Sequence, residues 1–278
     1  MDDLPAPLPA NVERFSGFAG RYDAYRPTPP AIIVDILTQL AGGIQEVTRP
    51  KLVVDLGSGT GLSTRIWAER AEAVVGIDPN PDMRTQAEAR TTVLAMSGNV
   101  RYQARLAWET GLPDGCADIV TVSQALHWME PEPTFAEVAR ILRPGGVFAA
   151  YDCDWPPTMN WEAEVVFDTF MEHCDAIERE RGLYRGVKEW RKDEHLGRIR
   201  ASGHFRYTEE IAVHHVEMGN AERLVGLLLS QGGIASLLKH GLSEEEIGVD
   251  SVRAKAKRTL GNEPAPWYWT YRVRLGIK

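Results

Sequence analysis

Asp55-Leu56-Gly57-Ser58-Gly59-Thr60-Gly61 sets a carboxylate two residues ahead of three glycines that alternate over five positions. Glycine admits positive φ and lets a ligand approach backbone that a Cβ would shield, so this spacing marks a turn built around a bound group. The apolar run Leu52-Val53-Val54 precedes the turn and reads as a buried strand, and the periodicity of residues 62–70 predicts a helix after it. Strand, glycine turn and helix form the opening unit of a nucleotide-binding α/β sheet, with the first helical N–H groups facing the turn. A dinucleotide fingerprint puts its third glycine at position 62, where Leu62 stands; here it arrives at Gly61. Asp55 sets negative charge where a pyrophosphate would be repelled, and suits an ammonium group instead. The second apolar run, 73–77, ends in Asp78, the residue type that accepts hydrogen bonds from a ribose diol. A further run, 117–123, leads into Gln124-Ala125-Leu126-His127-Trp128, where ligands of an open α/β sheet gather. His127 is the titratable residue there, able to take a proton near neutrality.

An ammonium, a ribose and no phosphate describe S-adenosylmethionine better than NAD. Asp55 to Gly61 resembles the first motif of the class I S-adenosylmethionine-dependent methyltransferases, in their small-molecule, type 11-like branch. Gly76-Ile77-Asp78-Pro79-Asn80-Pro81-Asp82-Met83 resembles their second motif, and Leu142-Arg143-Pro144-Gly145-Gly146 the turn before their fifth strand. The likeness covers roughly residues 15 to 152. It implies a doubly wound, Rossmann-like, mostly parallel seven-stranded sheet with a reversed C-terminal β-hairpin and a helical lid insert. It also implies the cofactor contacts. Asp55 and the backbone of Gly57, Ser58, Gly59, Thr60 and Gly61 surround the methionine moiety, and Asp78 and Pro79 lie at the ribose. Met83 lies against the adenine face, Tyr22 and Arg26 near the carboxylate, and Ser123 and Gln124 line the site. Relatives often carry an acidic residue and an alanine after the third strand. Here Arg105-Leu106-Ala107-Trp108-Glu109 stands in that place, so Ala107 and Trp108 occupy the adenine loop, with Trp108 available for stacking.

These residues need a frame. The reading gives residues 1–30 to an N-terminal leader and cofactor-covering segment, 31–157 to the Rossmann-like core, 158–205 to the helical lid, and 206–278 to strands and helices completing the sheet. Residues 1–13 are expected to be mobile. Further helices are expected over 31–41, 82–97, 133–142, 221–239 (broken at Gly232-Gly233) and 244–259, with Asn160 capping another. The last strand, Trp267 to Leu275, alternates apolar and polar side chains, predicting one apolar face.

The composition is that of an ordinary globular chain: 278 residues, 44% hydrophobic and 25% charged. The formal net charge of −8 excludes a general electrostatic grip on nucleic acid. No apolar run reaches membrane-spanning length, and Met1-Asp2-Asp3-Leu4-Pro5 is unlike a signal peptide. Cys116, Cys153 and Cys174 lack metal-ligand spacing, which fits a reducing cytosol and no metal site. The expected protein is thus a cytoplasmic monomer or homodimer that methylates a small-molecule acceptor, with no nucleic-acid or membrane partner. Two other readings stay open: a protein that binds S-adenosylmethionine without transferring its methyl group, and an NAD-dependent oxidoreductase. His127 is the candidate catalytic base for a hydroxyl acceptor; for an acceptor that needs no base it shapes the pocket.

Overall fold

The computed structural model describes residues 9–42, 49–96 and 98–278. Seven strands form one sheet: β1 (Leu52–Leu56), β2 (Ala73–Ile77), β3 (Val100–Gln103), β4 (Ala117–Ser123), β5 (Leu142–Cys153), β6 (Tyr207–Gly219) and β7 (Ala265–Ile277). Their spatial order is β3-β2-β1-β4-β5-β7-β6. The first five run parallel, and β7 inserts antiparallel between β5 and β6. Chain order reverses between β1 and β4, so the crevice of this sheet opens beyond the carboxyl ends of those two strands.

The short apolar runs form central strands because both faces of the sheet are covered. Successive residues go to opposite layers. Val53, Val74, Ile119 and Val147 join one buried cluster, and Val54, Val75, Val120 and Phe148 the other. In β7, Trp267, Trp269, Tyr271, Val273 and Leu275 all face the first cluster, as their alternation predicts. Arg274 departs from the pattern: it sits on the polar face yet is buried, held by Asp152 and Glu210.

Around the sheet lie α1 (Pro9–Glu13), α2 (Ala19–Tyr25), α3 (Ala31–Gly42), α4 (Leu62–Arg65), α5 (Pro81–Val93), α6 (Pro131–Ile141), α7 (Trp161–Glu180), α8 (His195–Ala201), α9 (Ala221–Leu229), α10 (Gly232–Lys239) and α11 (Val249–Leu260). Asn160 caps α7, accepting from the N–H groups of Glu162 and Ala163. The buried face of α7, with Phe167, Phe170 and Cys174, packs against α9, α10 and α11. The helical layer therefore extends beyond residues 158–205 into the long connection between β6 and β7.

Two expectations change. Residues 9–13 of the expected mobile leader are helical, and Asn11 is buried; residues 1–8 lie outside the described residues, as do 43–48 and Ser97. The helix expected over 62–70 stops at Arg65. Beyond it Trp67, Ala68 and Arg70 donate three residues back, to Thr64, Arg65 and Trp67, a tighter winding that carries the indole of Trp67 fully into the core.

Candidate functional site

The glycine turn leaves β1 at the crevice. Gly59 has φ +53, and a Cβ built there meets nothing of the protein within 4 Å. That open space belongs to a cavity of about 800 Å³. A Cβ on Gly57 comes within 2.7 Å of Ala125 and Met129, and one on Gly61, at φ +83, collides with the Tyr102 hydroxyl. The outer two glycines thus permit close packing of the protein on itself, and the middle one faces the cavity.

Asp78, at the end of β2, enters the same cavity. Its carboxylate accepts from the N–H groups of Gly59 and Asn80, each at 2.8 Å, which fixes it while leaving acceptor capacity toward the cavity. Burial raises its pKa, against the pull of those two bonds. Pro79 and Met83 continue this wall, and Leu106, Ala107 and Trp108 form another. Asn80 caps α5 and also donates to Val12 O and Ser16 Oγ, tying the N-terminal strap across the opening. The strap's Asn11, Val12 and Phe15 complete the wall. Asn11 donates to the carbonyls of Trp128 and Lys188 and accepts from Lys188 N–H, joining strap to α7–α8 connection.

Two further lobes adjoin this cavity. One, of about 1160 Å³, receives His127, Arg26, Trp155 and Lys192. The other, of about 430 Å³, lies against Ser58, Thr60 and Ser63 and again meets Arg26. Tyr22 and Gln124 line all three, and Ser123 lines two of them. The hydroxyls of Ser58 and Thr60 are buried and have no partner among the described residues. Gln124 holds φ +54, a strained conformation for a residue with a side chain. Arg26 bonds Ser230 Oγ, Ser230 O and Gln231 Oε1, all neutral acceptors, and none of the described acids forms an ion pair with it.

Asp55 and Gly61, expected at the ligand, line none of these lobes among the described residues. Asp55 is fully buried and spends its oxygens internally, accepting from Ser63 Oγ at 3.2 Å and from Thr64 Oγ1 and Thr121 Oγ1 at 2.7 Å each. Burial pushes its pKa up to about 6 despite these hydroxyls. Its place is beneath the turn, where it ties β1, β4 and α4 together. Gly61 opens α4 and packs on Tyr102.

His127 is buried in a short helical turn after β4. Its Nδ1 lies 3.7 Å from Asp152 Oδ1, and the His195 ring is 6.5 Å away. Burial, then the positive charge of Lys192, hold its pKa well below the usual histidine value. Burial alone would raise Asp152, but Lys192, His127 and Arg274 outweigh it and keep the carboxyl below its ordinary value. His195 is driven down to about 4 by burial. Asn11, Asp152, Lys192 and Arg274 were not legible as site residues; only the buried polar position on β7 could have flagged Arg274. Among the described residues no group of three or more His, Cys, Asp or Glu could hold a metal.

Residues 54–150 match the family model of the methyltransferase domain. A structure from Anaeromyxobacter dehalogenans, provisionally named a type II methyltransferase, superposes with a TM-score of 0.63 at 21% identity, covering 91% of this chain and 98% of that one. The segment that runs from β1 to β5 is thus similar to a methyltransferase domain. An uncharacterised methyltransferase of Mycobacterium tuberculosis is 37% identical over 48% of this chain and 49% of its own length. A Dictyostelium discoideum protein, provisionally named a methyltransferase, is 24% identical over 93% of this chain and 92% of its own. The chain spans about half the length of the first curated relatives it matches. The matched domain supplies the glycine turn, Asp78, Trp108, Gln124 and His127, whereas Arg14, Arg26, Trp155, Met171, Glu178 and Lys192 of the second lobe lie outside it. The domain match therefore covers most of the first cavity and only Gln124, His127 and Trp128 of the second lobe.

Proposed function

We propose that this chain transfers the methyl group of S-adenosylmethionine to a small-molecule acceptor. The observation that carries the reading is the pairing of Gly59 with Asp78: a turn with room for a ligand, bonded to a carboxylate that faces the same cavity. An apolar-walled cavity with one directed acid suits a nucleoside. In this reading Asp78 accepts from the ribose hydroxyls, with Pro79 beside it, and Met83, Ala107 and Trp108 enclose the adenine. The backbone of Gly57 and Gly59 and the free hydroxyls of Ser58 and Thr60 surround the methionine moiety. Arg26 and Tyr22 meet its carboxylate in the third lobe. Asp55 and Gly61 act indirectly, holding the turn in shape.

When bound, S-adenosylmethionine supplies an electrophilic methyl on a good leaving group. The chain's work is alignment and exclusion of water. Tyr22 and Gln124, common to all three lobes, mark where cofactor and acceptor meet. In this reading the segment 158–205 covers the acceptor side, with 31–157 as the core, 206–278 completing the sheet and 1–30 as the N-terminal leader and cofactor-covering segment. No described helix is long and apolar enough to cross a membrane. The three free cysteines favour a reducing, cytosolic setting.

Calorimetry with S-adenosylmethionine, S-adenosylhomocysteine and NADH tests the cofactor: tight binding of the first two and none of NADH is expected. Incubation with methyl-labelled cofactor and a cell extract tests transfer. Label that stays on the cofactor alone would mean a binding protein without transferase activity.

A further inference from the structure

The charges around the second lobe are largely spent on one another. Arg14 lies 5.8 Å from the Trp128 ring centroid and 5.0 Å from that of Tyr184; Arg26 lies 4.8 Å from both Tyr22 and Trp155. The ring faces that could hold a cationic ligand thus already hold guanidinium groups. Arg14 is neutralised by Glu178 through two bonds, of 2.6 and 3.0 Å. Lys192 Nζ lies 3.3 Å from Asp152 Oδ1, Arg274 Nη1 lies 2.9 Å from Asp152 Oδ2, and Arg274 Nε lies 2.9 Å from Glu210. Behind the inner wall two cations therefore meet two carboxylates. Arg26 remains, and the reading above gives it to the cofactor carboxylate. Asp175, Arg179 and Glu189 stand exposed at the rim. The inner wall offers no unspent charge to an amine or a carboxylate.

It does offer a base. His127 Nδ1 and Asp152 Oδ1 are both buried without a hydrogen-bond partner among the described residues, and they face each other at 3.7 Å. That is longer than a hydrogen bond, but catalytic pairs are often loose before the substrate binds. The groups facing the imidazole are Asp152 on β5, Lys192 before α8, His195 on α8 and Arg26 after α2. Asp152 is the only acid in this set. An anionic oxygen on the Nδ1 side places the proton of the neutral ring there, and leaves the Nε2 lone pair for the lobe.

We propose that the second lobe binds a neutral, hydroxyl-bearing acceptor, and that His127, oriented by Asp152, removes the hydroxyl proton. The proposal rests on the methyl-transfer reading. As the acceptor oxygen bonds to the methyl carbon, the carbon–sulfur bond breaks with its electron pair going to sulfur. The hydroxyl proton passes to His127 Nε2. The imidazolium so formed lies against the Asp152 carboxylate, and returns its proton to water as the ether product leaves. His127 is the catalytic residue here, and Asp152 a positioning residue.

Long-range proton–nitrogen NMR of the wild-type imidazoles tests the orientation without any acceptor. A neutral His127 protonated on Nδ1 is expected, and protonation on Nε2 overturns the proposal. Labelled methyl transfer is then measured to 2-naphthol, 2-naphthoate and 2-naphthylamine, with cofactor binding checked separately by calorimetry. Label on the naphthol is expected, lowered at least tenfold in kcat by Asp152→Asn, with KM little changed and the pH profile displaced. Label on the acid or the amine, or on none while the cofactor binds, overturns the acceptor class. Failure of the cofactor to bind would instead remove the underlying reading.

Discussion

Gly59 N–H donates to Asp78 Oδ2 at 2.8 Å, so the middle glycine of the first turn and the acid of the second strand form one unit. The two are nineteen positions apart in sequence and are brought together by the parallel pairing of β1 with β2, in which Leu56 lies opposite Ile77. The bond fixes the carboxylate rotamer, so Asp78 stands already oriented for the diol of the proposed cofactor.

Asp78→Ala should weaken S-adenosylmethionine binding by about 1.5–3 kcal/mol, the range for a hydrogen bond to a charged group. Calorimetry on a variant with native circular dichroism checks this. Unchanged affinity would remove Asp78 from the cofactor site.

The glycines separate ligand exclusion from folding. Gly59→Ala points its new methyl into open space, so the protein bears only the cost of a positive φ, about 1–2 kcal/mol, while the ligand meets the methyl directly. Gly61→Ala meets the Tyr102 hydroxyl instead. Cofactor affinity should collapse in the first with a modest fall in Tm, and the fall in Tm should be larger in the second. Equal stability losses and equal affinity losses would refute the division.

The sheet and the turn were legible because their signals are local: apolar runs for strands buried on both faces, glycine spacing for the turn, and Asp78 at a strand end. The buried ion cluster was not. Asp152 and Arg274 are 122 positions apart, and only the insertion of β7 beside β5 makes them neighbours. Arg274 reads as an ordinary polar-face residue until Asp152 and Glu210 are placed around it. Asp55 was legible as important, but sequence does not tell whether a carboxylate at a strand end faces a ligand or, as here, the hydroxyls of Thr121 and Thr64. Asn11 stands in a proline-rich segment with no local pattern, and its partners lie at Trp128 and Lys188.

Asn11→Ala leaves the carbonyl of Trp128 and the peptide groups of Lys188 without their partner. A loss of about 2 kcal/mol is expected, less where water can reach the exposed Lys188. Because the strap borders the first cavity, the same change should speed cofactor dissociation and expose the segment around residues 9–25 to protease. Saturating S-adenosylhomocysteine should restore protection. Wild-type cleavage and dissociation rates would detach the strap from the site.

Asp55 makes stability depend on pH in the direction opposite to a paired surface acid. Its folded pKa of about 6 lies above that of an unfolded aspartate, so the native state binds the extra proton between roughly pH 4 and 6. Its contribution is therefore favourable at low pH and declines as pH rises through that window, reaching a cost of about 3 kcal/mol above it. Other acids oppose this: Asp118, Glu137 and Asp152 have lowered values and lose stability on acidification. Asp55→Asn isolates the effect, since the amide resembles the protonated acid and does not titrate. Relative to wild type, the variant should gain stability steadily from pH 4 to 6.5 and stay level above it, as read by urea denaturation at each pH. A difference that is flat across this range, or that falls, would show that Asp55 remains ionised in the fold and that its three hydroxyl partners outweigh its burial.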